Sequence, residues 1–176
     1  MSASHPSIIT RRYATPCGDL LLGDYSGRLC LAVWAADSQP ACVIKRVCSR
    51  LHTQPRYGSS ALLDRAAEEL DQYFRGERHD FDLPLLPIGT GFQLQVWNQL
   101  LTIPYGTTIS YAGQAAHMGR PTATRAIAHA NGLNALSIFI PCHRVIGADG
   151  KPTGYAGGIE AKRWLTDWER AHLPTP

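Results

Sequence analysis

Pro141-Cys142-His143-Arg144-Val145 places a thiol, an imidazole and a guanidinium on three consecutive residues, behind a proline that restricts the backbone. The nucleophilic form of cysteine is the thiolate. At an ordinary pKa near 8.5 only about 3% of a thiol is ionised at pH 7, so a neighbouring base decides whether Cys142 reacts. His143 is a candidate base. The apolar run from Leu136 to Ile140 predicts a buried strand that ends just before Cys142, and the ends of buried elements are where rigid scaffolds present reactive groups. A cysteine in such a place is either an inert buried thiol or the centre of the chemistry. The rest of the chain has to separate the two.

The elements that must hold this segment can be read from spacing. Ile8 to Thr15, Leu20 to Asp24 and Leu29 to Trp34 are short strand-like runs separated by turn residues, which predicts a small antiparallel sheet. Pro40 to Leu51 has Val43, Ile44, Val47 and Leu51 at helical spacing. Ser60 to Arg75 carries a longer apolar stripe, with Ser60 as cap and Gly76 as terminator. Phe81 to Leu86 reads as extended, and the prolines and glycines from Pro87 to Gly91 read as a linker. Beyond it, Phe92 to Leu101, Ser110 to Met118 and Thr122 to His129 predict three helices. The last two flank Gly119-Arg120-Pro121 in a helix-turn-helix pattern. Asn131 to Asn134 reads as a tight turn, Gly154 to Gly158 as a glycine-rich loop, and Ile159 to His172 as a closing helix with Trp164, Leu165 and Trp168 inward.

Bulk properties narrow the class. The 176 residues suit one large or two small domains, and 44% hydrophobic with 18% charged residues is globular composition. A net charge of +3 permits nucleic-acid binding without requiring it. Met1 to Ser7 lacks an apolar core of the signal-peptide kind, and no apolar window is long enough to span a membrane. Five cysteines without paired spacing predict reduced thiols in a cytoplasm. Cys17, Cys30, Cys42 and Cys48 read as small buried hydrophobes. Cys17 and Cys30 with His52 have no specific zinc spacing, so neither metal nor cofactor is expected.

Ile140 to Ile146, Gly154-Tyr155-Ala156-Gly157-Gly158 and Lys162-Arg163-Trp164-Leu165, at their distance after the helix-turn-helix, resemble the O6-alkylguanine-DNA alkyltransferases. The overall length resembles that family's bacterial Ogt-type members. The likeness is dense from Phe92 to Glu169, whereas the first 85 residues resemble the family only in length and in Tyr73-Phe74-Arg75-Gly76. It implies an α/β protein in three parts. Residues 1–86 would be an RNase H-like sheet-and-helix support domain, 87–91 a linker, and 92–176 a mostly helical domain holding the chemistry.

The implied reaction is irreversible, single-turnover transfer of a methyl or larger alkyl group from guanine O6 in DNA to Cys142, with O4 of thymine as a second candidate substrate. Cys142 is the acceptor, His143 the base acting through a bridging water, and Glu169 the group that orients it. Tyr111 donates to the departing base. Backbone at Cys142 and Val145 accepts from the exocyclic amine, Ala156 N–H faces O6, Tyr155 walls the pocket and Asn134 braces it. Arg144 is a structural partner within the domain.

A buried O6 implies base flipping from double-stranded DNA through the minor groove. Arg125, placed in the middle of the second helix of the pair, fills the vacated space. Ala123 and Ala126 allow close approach, and Thr122 and Thr124 contact phosphates. His129, Leu133 and Ala135 depart from the common pattern, which bears on DNA affinity more than on chemistry. The implied protein is a monomer, with cooperative DNA binding left open. Three rival readings are an alkylation-sensing DNA-binding regulator, a cysteine hydrolase and a DNA binder without chemistry. Intact Cys142 excludes the inactive alkyltransferase-like relatives.

Overall fold

The computed structural model describes residues 6–35 and 40–174, so the first five residues of the polar N-terminal segment lie outside the described part. Three strands, β1 (Ile8–Thr15), β2 (Gly18–Tyr25) and β3 (Arg28–Trp34), form the antiparallel meander expected from the short runs and the turn residues between them. Helix α1 (Pro40–Leu51) follows. A short strand, β4 (Pro55–Tyr57), then joins the far edge parallel to β1, giving the order β3-β2-β1-β4. Three residues that include a proline give no periodic signal, and sequence pattern missed this strand.

Helix α2 (Ala61–Phe74) begins where the Ser60 side chain accepts from Leu63 N–H. It ends before Gly76, whose φ of +74° is the left-handed conformation that glycine adopts without steric cost. Its buried stripe runs Leu62, Leu63, Ala66, Leu70 and Tyr73. Leu85 makes an isolated bridge to Leu29, which ties the connecting segment to the β3 edge. Helix α3 (Gly91–Leu100) opens with a full capping box between Thr90 and Gln93 and buries Val96, Trp97 and Leu100.

The remaining elements are built around the cysteine. Strand β5 (Ile109–Ser110) runs directly into helix α4 (Tyr111–His117), which Ser110 caps. A 3₁₀ turn over Pro121–Ala123 leads into helix α5 (Thr124–Gly132), and β6 (Val145–Ile146) precedes the closing helix α6 (Gly158–Ala171). Helix α5 starts two residues later and ends three residues later than its pattern indicates. Asn131 is therefore helical and buried rather than in a turn. Its side chain pairs with Gln114 of α4, with Nδ2 donating to Oε1 at 2.7 Å. A buried amide pair of this kind fixes the angle of the two helices, because each amide would be costly to leave unpaired.

Leu136 to Ile140 is not a strand. Leu136 makes one bridge to Ala32 of β3, with Ala32 N–H donating to Ala135 O and Ser137 N–H to Ala32 O. The chain then turns, with Ile140 N–H donating back to Leu136 O at 2.8 Å. Ile138 sits at φ +73°, a conformation costing a β-branched residue about 1–3 kcal/mol. The run is apolar but for the buried Ser137 because the whole turn is buried, and burial alone does not distinguish a turn from a strand.

One contiguous core joins both halves. Leu20, Leu22 and Trp34 of the sheet, Leu63 and Tyr73 of α2, Trp97 of α3 and Leu165 of α6 belong to the same packed cluster. On α6, Leu165 is buried, but Trp164 and Trp168 are half-buried and stack on each other at 5.1 Å. Trp168 Nε1 donates to Tyr73 O, so this pair seals α6 onto α2 rather than filling the centre. Of the early cysteines, Cys30 and Cys48 are buried as expected, whereas Cys17 is half-buried and Cys42 exposed. No described helix is long and apolar enough to cross a membrane.

Candidate active site

Cys142 lies in a 3₁₀ turn, Cys142–Arg144, and not at the end of a strand. The turn is held by Cys142 N–H to Ile140 O at 2.8 Å and by Arg144 N–H to Pro141 O at 3.0 Å. Three supports converge on it. Asn134 donates from Nδ2 to Ile140 O (2.8 Å) and to Cys142 Sγ (3.3 Å), while its Oδ1 accepts from Leu136 N–H. Strand β6 pairs with β5 in parallel, Ile109 opposite Val145, and this fixes Tyr111 one residue beyond the pairing. Helix α6 buries Ala161, Lys162, Leu165, Thr166 and Glu169, a stripe at helical spacing that aims Lys162 and Glu169 at the same region one turn apart from Thr166.

Glu169 is the most densely bonded side chain of the site. Its Oε1 lies 2.7 Å from His143 Nε2 and accepts from Tyr73 OH (2.8 Å) and Arg144 Nη2 (3.0 Å). Its Oε2 accepts from Arg144 Nε (2.9 Å) and Gly106 N–H (3.0 Å). Burial alone would raise the carboxyl. The charge and hydrogen bond of His143, then those of Arg144, outweigh it and hold Glu169 well below the usual carboxylate range. Arg144 also donates from Nη1 to Ile103 O at 2.6 Å, so its whole fork is committed to structure. With Nε2 turned to Glu169, His143 Nδ1 is the free ring nitrogen. It is buried and finds no hydrogen-bond partner among the described residues.

The Cys142 thiol is buried, and burial pushes its pKa up. The Asn134 hydrogen bond and the nearby Lys162 charge oppose that rise only in part. A resting thiol, rather than a thiolate, follows from this balance. Burial lowers Lys162 to about 8, against the pull of Cys142. The Lys162 Nζ donates to Thr153 O at 2.7 Å and to Tyr111 OH at 3.2 Å, and it lies 5.3 Å and 5.9 Å from the Tyr111 and Tyr155 ring centres. Tyr111 OH donates to Thr153 O at 3.0 Å.

A cleft of 790 Å³ opens beside these groups, lined by Tyr111, Tyr155 and Ala156 on one side and by Ala128, His129 and Leu133 of the α5 side on the other. The helix-turn-helix therefore shares this cleft with Tyr111 and Tyr155, the two rings close enough to Cys142 for its charge to act on their hydroxyls. Arg125 is exposed and lies in the first turn of α5, not its middle. It is three and four residues before Ala128 and His129, which places it on their face at the cleft mouth. Thr122 and Ala126 are exposed nearby. Ala123 and Thr124 are partly buried, and the Thr124 hydroxyl is turned to Pro121 O at 3.4 Å. The Val145 side chain is fully buried. Its N–H donates to Cys142 O, so of the two backbone acceptors at this turn Cys142 O is already half used.

Three functional neighbours escaped the sequence reading. Lys162 had a signal, since it stands seven residues before Glu169 and so shares its helix face. Tyr73 lay in the one N-terminal segment that resembles the family but gave no sign of its partner, and Trp34 had no signal, because their contacts cross the whole chain. The Trp34 ring meets Tyr155 edge-on at 5.9 Å, and it is so close to Gly157 that a Cβ there would lie 2.7 Å from ring carbons. Gly157 has φ −84°, which any residue adopts, so its requirement is purely steric. Gly157→Ala is expected to lower stability by about 1–3 kcal/mol, read by thermal denaturation, because the new Cβ forces the indole off its present packing.

The geometry defines a class: a buried thiol next to a hydrogen-bonded imidazole–carboxylate pair, near a cleft that a helix-turn-helix helps to line. Residues 91–171 match the family profile of the 6-O-methylguanine DNA methyltransferase, DNA binding domain. A methylated-DNA–protein-cysteine methyltransferase of Mycobacterium tuberculosis (strain ATCC 25618 / H37Rv) is 49% identical over 126 residues, 72% of this chain and 74% of that protein. The constitutive methylated-DNA–protein-cysteine methyltransferase of Bacillus subtilis (strain 168) is 51% identical over 109 residues, covering 61% of this chain and 66% of its own length. Over 96% of both chains the fold matches a crystal structure of Mycobacterium tuberculosis O6-methylguanine methyltransferase, with a TM-score of 0.80 and 40% identity. A structure of Mycobacterium tuberculosis OGT in complex with DNA matches over 94% of both, with a TM-score of 0.79 and 41% identity. This chain belongs to the methylated-DNA–protein-cysteine methyltransferase family.

Proposed function

We propose that Cys142 is the residue onto which this DNA-repair alkyltransferase takes a methyl or larger alkyl group from O6 of guanine in DNA. The observation that carries the assignment is the buried Cys142 thiol, next in sequence to the His143–Glu169 pair and near Tyr111 and Tyr155, which line the cleft shared with the helix-turn-helix. A water bridging His143 Nδ1 and Cys142 Sγ takes the thiol proton toward the imidazole. The resulting imidazolium is stabilised by the anionic Glu169. The thiolate attacks the alkyl carbon, a C–S bond forms, and the C–O6 bond breaks with its electron pair passing to the guanine. Sulfur in the thioether is a poor leaving group, so each molecule reacts once and needs no cofactor.

Tyr111 donates to the departing base. To do so its hydroxyl leaves Thr153 O, which Lys162 Nζ still satisfies. That arrangement lowers the cost of the swap and leaves an ammonium beside the Tyr111 oxygen. Tyr155 and Ala156 hold the base in the cleft, Asn134 and the Val145 turn fix the sulfur, and Arg125 at the cleft mouth fills the gap left by a nucleotide flipped through the minor groove. Thr122, Ala123, Thr124 and Ala126 form the surrounding DNA contact. In this reading 92–176 carries the chemistry and 1–86 supports it across the 87–91 linker. The protein acts as a cytoplasmic monomer on DNA.

Incubation with duplex DNA containing O6-methylguanine, followed by intact mass and peptide mapping, tests this. One methyl group is expected on the Cys142 peptide, and none in Cys142→Ser. A wild-type protein that gains no mass, or gains it elsewhere, would sink the assignment.

A further inference from the structure

Tyr73 is fully buried on α2, in the sheet-and-helix half of the chain, and its hydroxyl donates at 2.8 Å to Glu169 Oε1, the same oxygen that His143 Nε2 meets at 2.7 Å. The two partners are 96 residues apart in sequence. We infer that Tyr73 is a positioning residue of the transfer reaction, through which the N-terminal half sets the orientation and basicity of the carboxylate behind the catalytic base. The inference rests on the His143–Glu169 relay proposed above.

The packing is consistent with a fixed donor. The Tyr73 ring meets Phe74 at 5.1 Å and Tyr105 at 6.0 Å, both edge-on, and Phe81 at 5.5 Å, so it has little freedom to turn away. Burial, with Glu169 beside it, pushes the Tyr73 hydroxyl well above its ordinary value, so it remains a proton donor throughout the working range. The charged and titratable groups facing Glu169 are His143 and Arg144 from the cysteine turn, Tyr73 from α2 and Tyr105 from the loop after α3. Gly106 contributes a backbone N–H. Of these, Tyr73 is the neutral side-chain donor to Oε1, and its loss strips a hydrogen bond from the oxygen that holds the imidazole.

The sign follows directly. With one donor fewer, the anionic form of Glu169 is less stabilised, so acid disables the carboxylate at a higher pH and the acidic limb of the rate–pH profile moves upward. Tyr73→Phe keeps the ring and its packing and removes only the hydroxyl.

The experiment measures single-turnover transfer from a duplex with one O6-methylguanine across pH for wild type, Tyr73→Phe and Glu169→Gln. Each is held at a temperature where circular dichroism shows it folded, and affinity for unmodified duplex is measured in parallel. Expected for Tyr73→Phe are a rate about tenfold lower near neutral pH, an upward-shifted acidic limb and unchanged DNA affinity. A slower reaction with an unmoved pH profile would mark a packing defect and overturn the inference. A Tyr73→Phe protein as fast as wild type beside a slow Glu169→Gln would overturn it while leaving the relay intact. Wild-type rates in both variants would overturn the inference and the relay together.

Discussion

Glu169→Ala is expected to slow alkyl transfer by about 100-fold or more and to lower the melting temperature by on the order of 10 °C. The two effects share a cause. The carboxylate accepts from five donors, among them both Nε and Nη2 of a buried guanidinium. Its removal leaves Arg144 charged and buried, with Ile103 O as its remaining hydrogen-bond partner among the described residues and the Tyr105 ring 5.7 Å away. Breaking a buried pair from one side typically costs about 3–5 kcal/mol, because the remaining charge keeps its desolvation penalty and loses its compensation. The same truncation frees the His143 ring, so the Nδ1 atom that must face the cysteine loses its orientation. Glu169→Gln separates the two effects. It retains most of the volume and some hydrogen bonds, so its stability loss is smaller while the transfer defect persists. Thermal melts and single-turnover rates on the two variants check this. A Glu169→Ala protein that melts with wild type would show that the five-donor cluster adds nothing to stability.

Acid provides a second measurement of the same group. The folded-state pKa of Glu169 is depressed, the sign that adds stability above the unfolded pKa and loses it below. With an unfolded value near 4.3, the contribution is complete at neutral pH and declines as pH falls below about 4. The stability gap between wild type and Glu169→Gln should therefore narrow on going from neutral to strongly acidic solution. A gap that widens on acidification would contradict the depressed pKa.

How far the sequence reached depended on how local each feature is. The three-strand meander, α2 with its Ser60 cap and the α3 stripe all follow from neighbours within a few residues, and each formed where its pattern lay. The cysteine turn was misread as a strand terminus because Leu136 to Ile140 is apolar but for Ser137, which a buried turn and a buried strand share. Only the Ala32–Leu136 bridge and the Ile138 backbone distinguish them, and both depend on a sheet more than 100 residues away. The candidate site was legible where residue type implied chemistry. Cys142, His143, Tyr111 and Glu169 could be picked out with the family resemblance as guide, and the structure brings them to one region. Its supporting groups were not legible. Tyr73 reads as one more residue on the α2 stripe, in a short segment that resembles the family but names no partner for it, and Trp34 reads as the end of a strand. Their roles arise from packing between the two halves of the chain, which no single helix or strand encodes.

Arg125→Ala is expected to reduce transfer from duplex DNA by roughly two orders of magnitude while leaving reaction with free O6-benzylguanine nearly unchanged. The reason is geometric and energetic together. Guanine O6 lies inside the base stack, and the cleft lined by Tyr111, Tyr155 and Ala156 accepts a base only after it leaves the helix, at a cost of a few kcal/mol. A side chain that occupies the vacated stack offsets part of that cost. Arg125 is placed for it, exposed in the first turn of α5, one turn ahead of the cleft-lining Ala128 and His129, with small Ala126 beside it. It makes no hydrogen bond to any described residue that would hold it back. A free base analogue enters the cleft without flipping, so its rate reports the chemistry alone. Arg125→Lys discriminates further, since it keeps the charge for phosphate attraction and loses the planar face that can stack against bases. If Arg125→Lys behaves as wild type, the residue acts through charge alone, and insertion is not its role. If Arg125→Ala loses equally on duplex and free base, Arg125 instead supports the cleft itself, and base flipping is served by another part of α5.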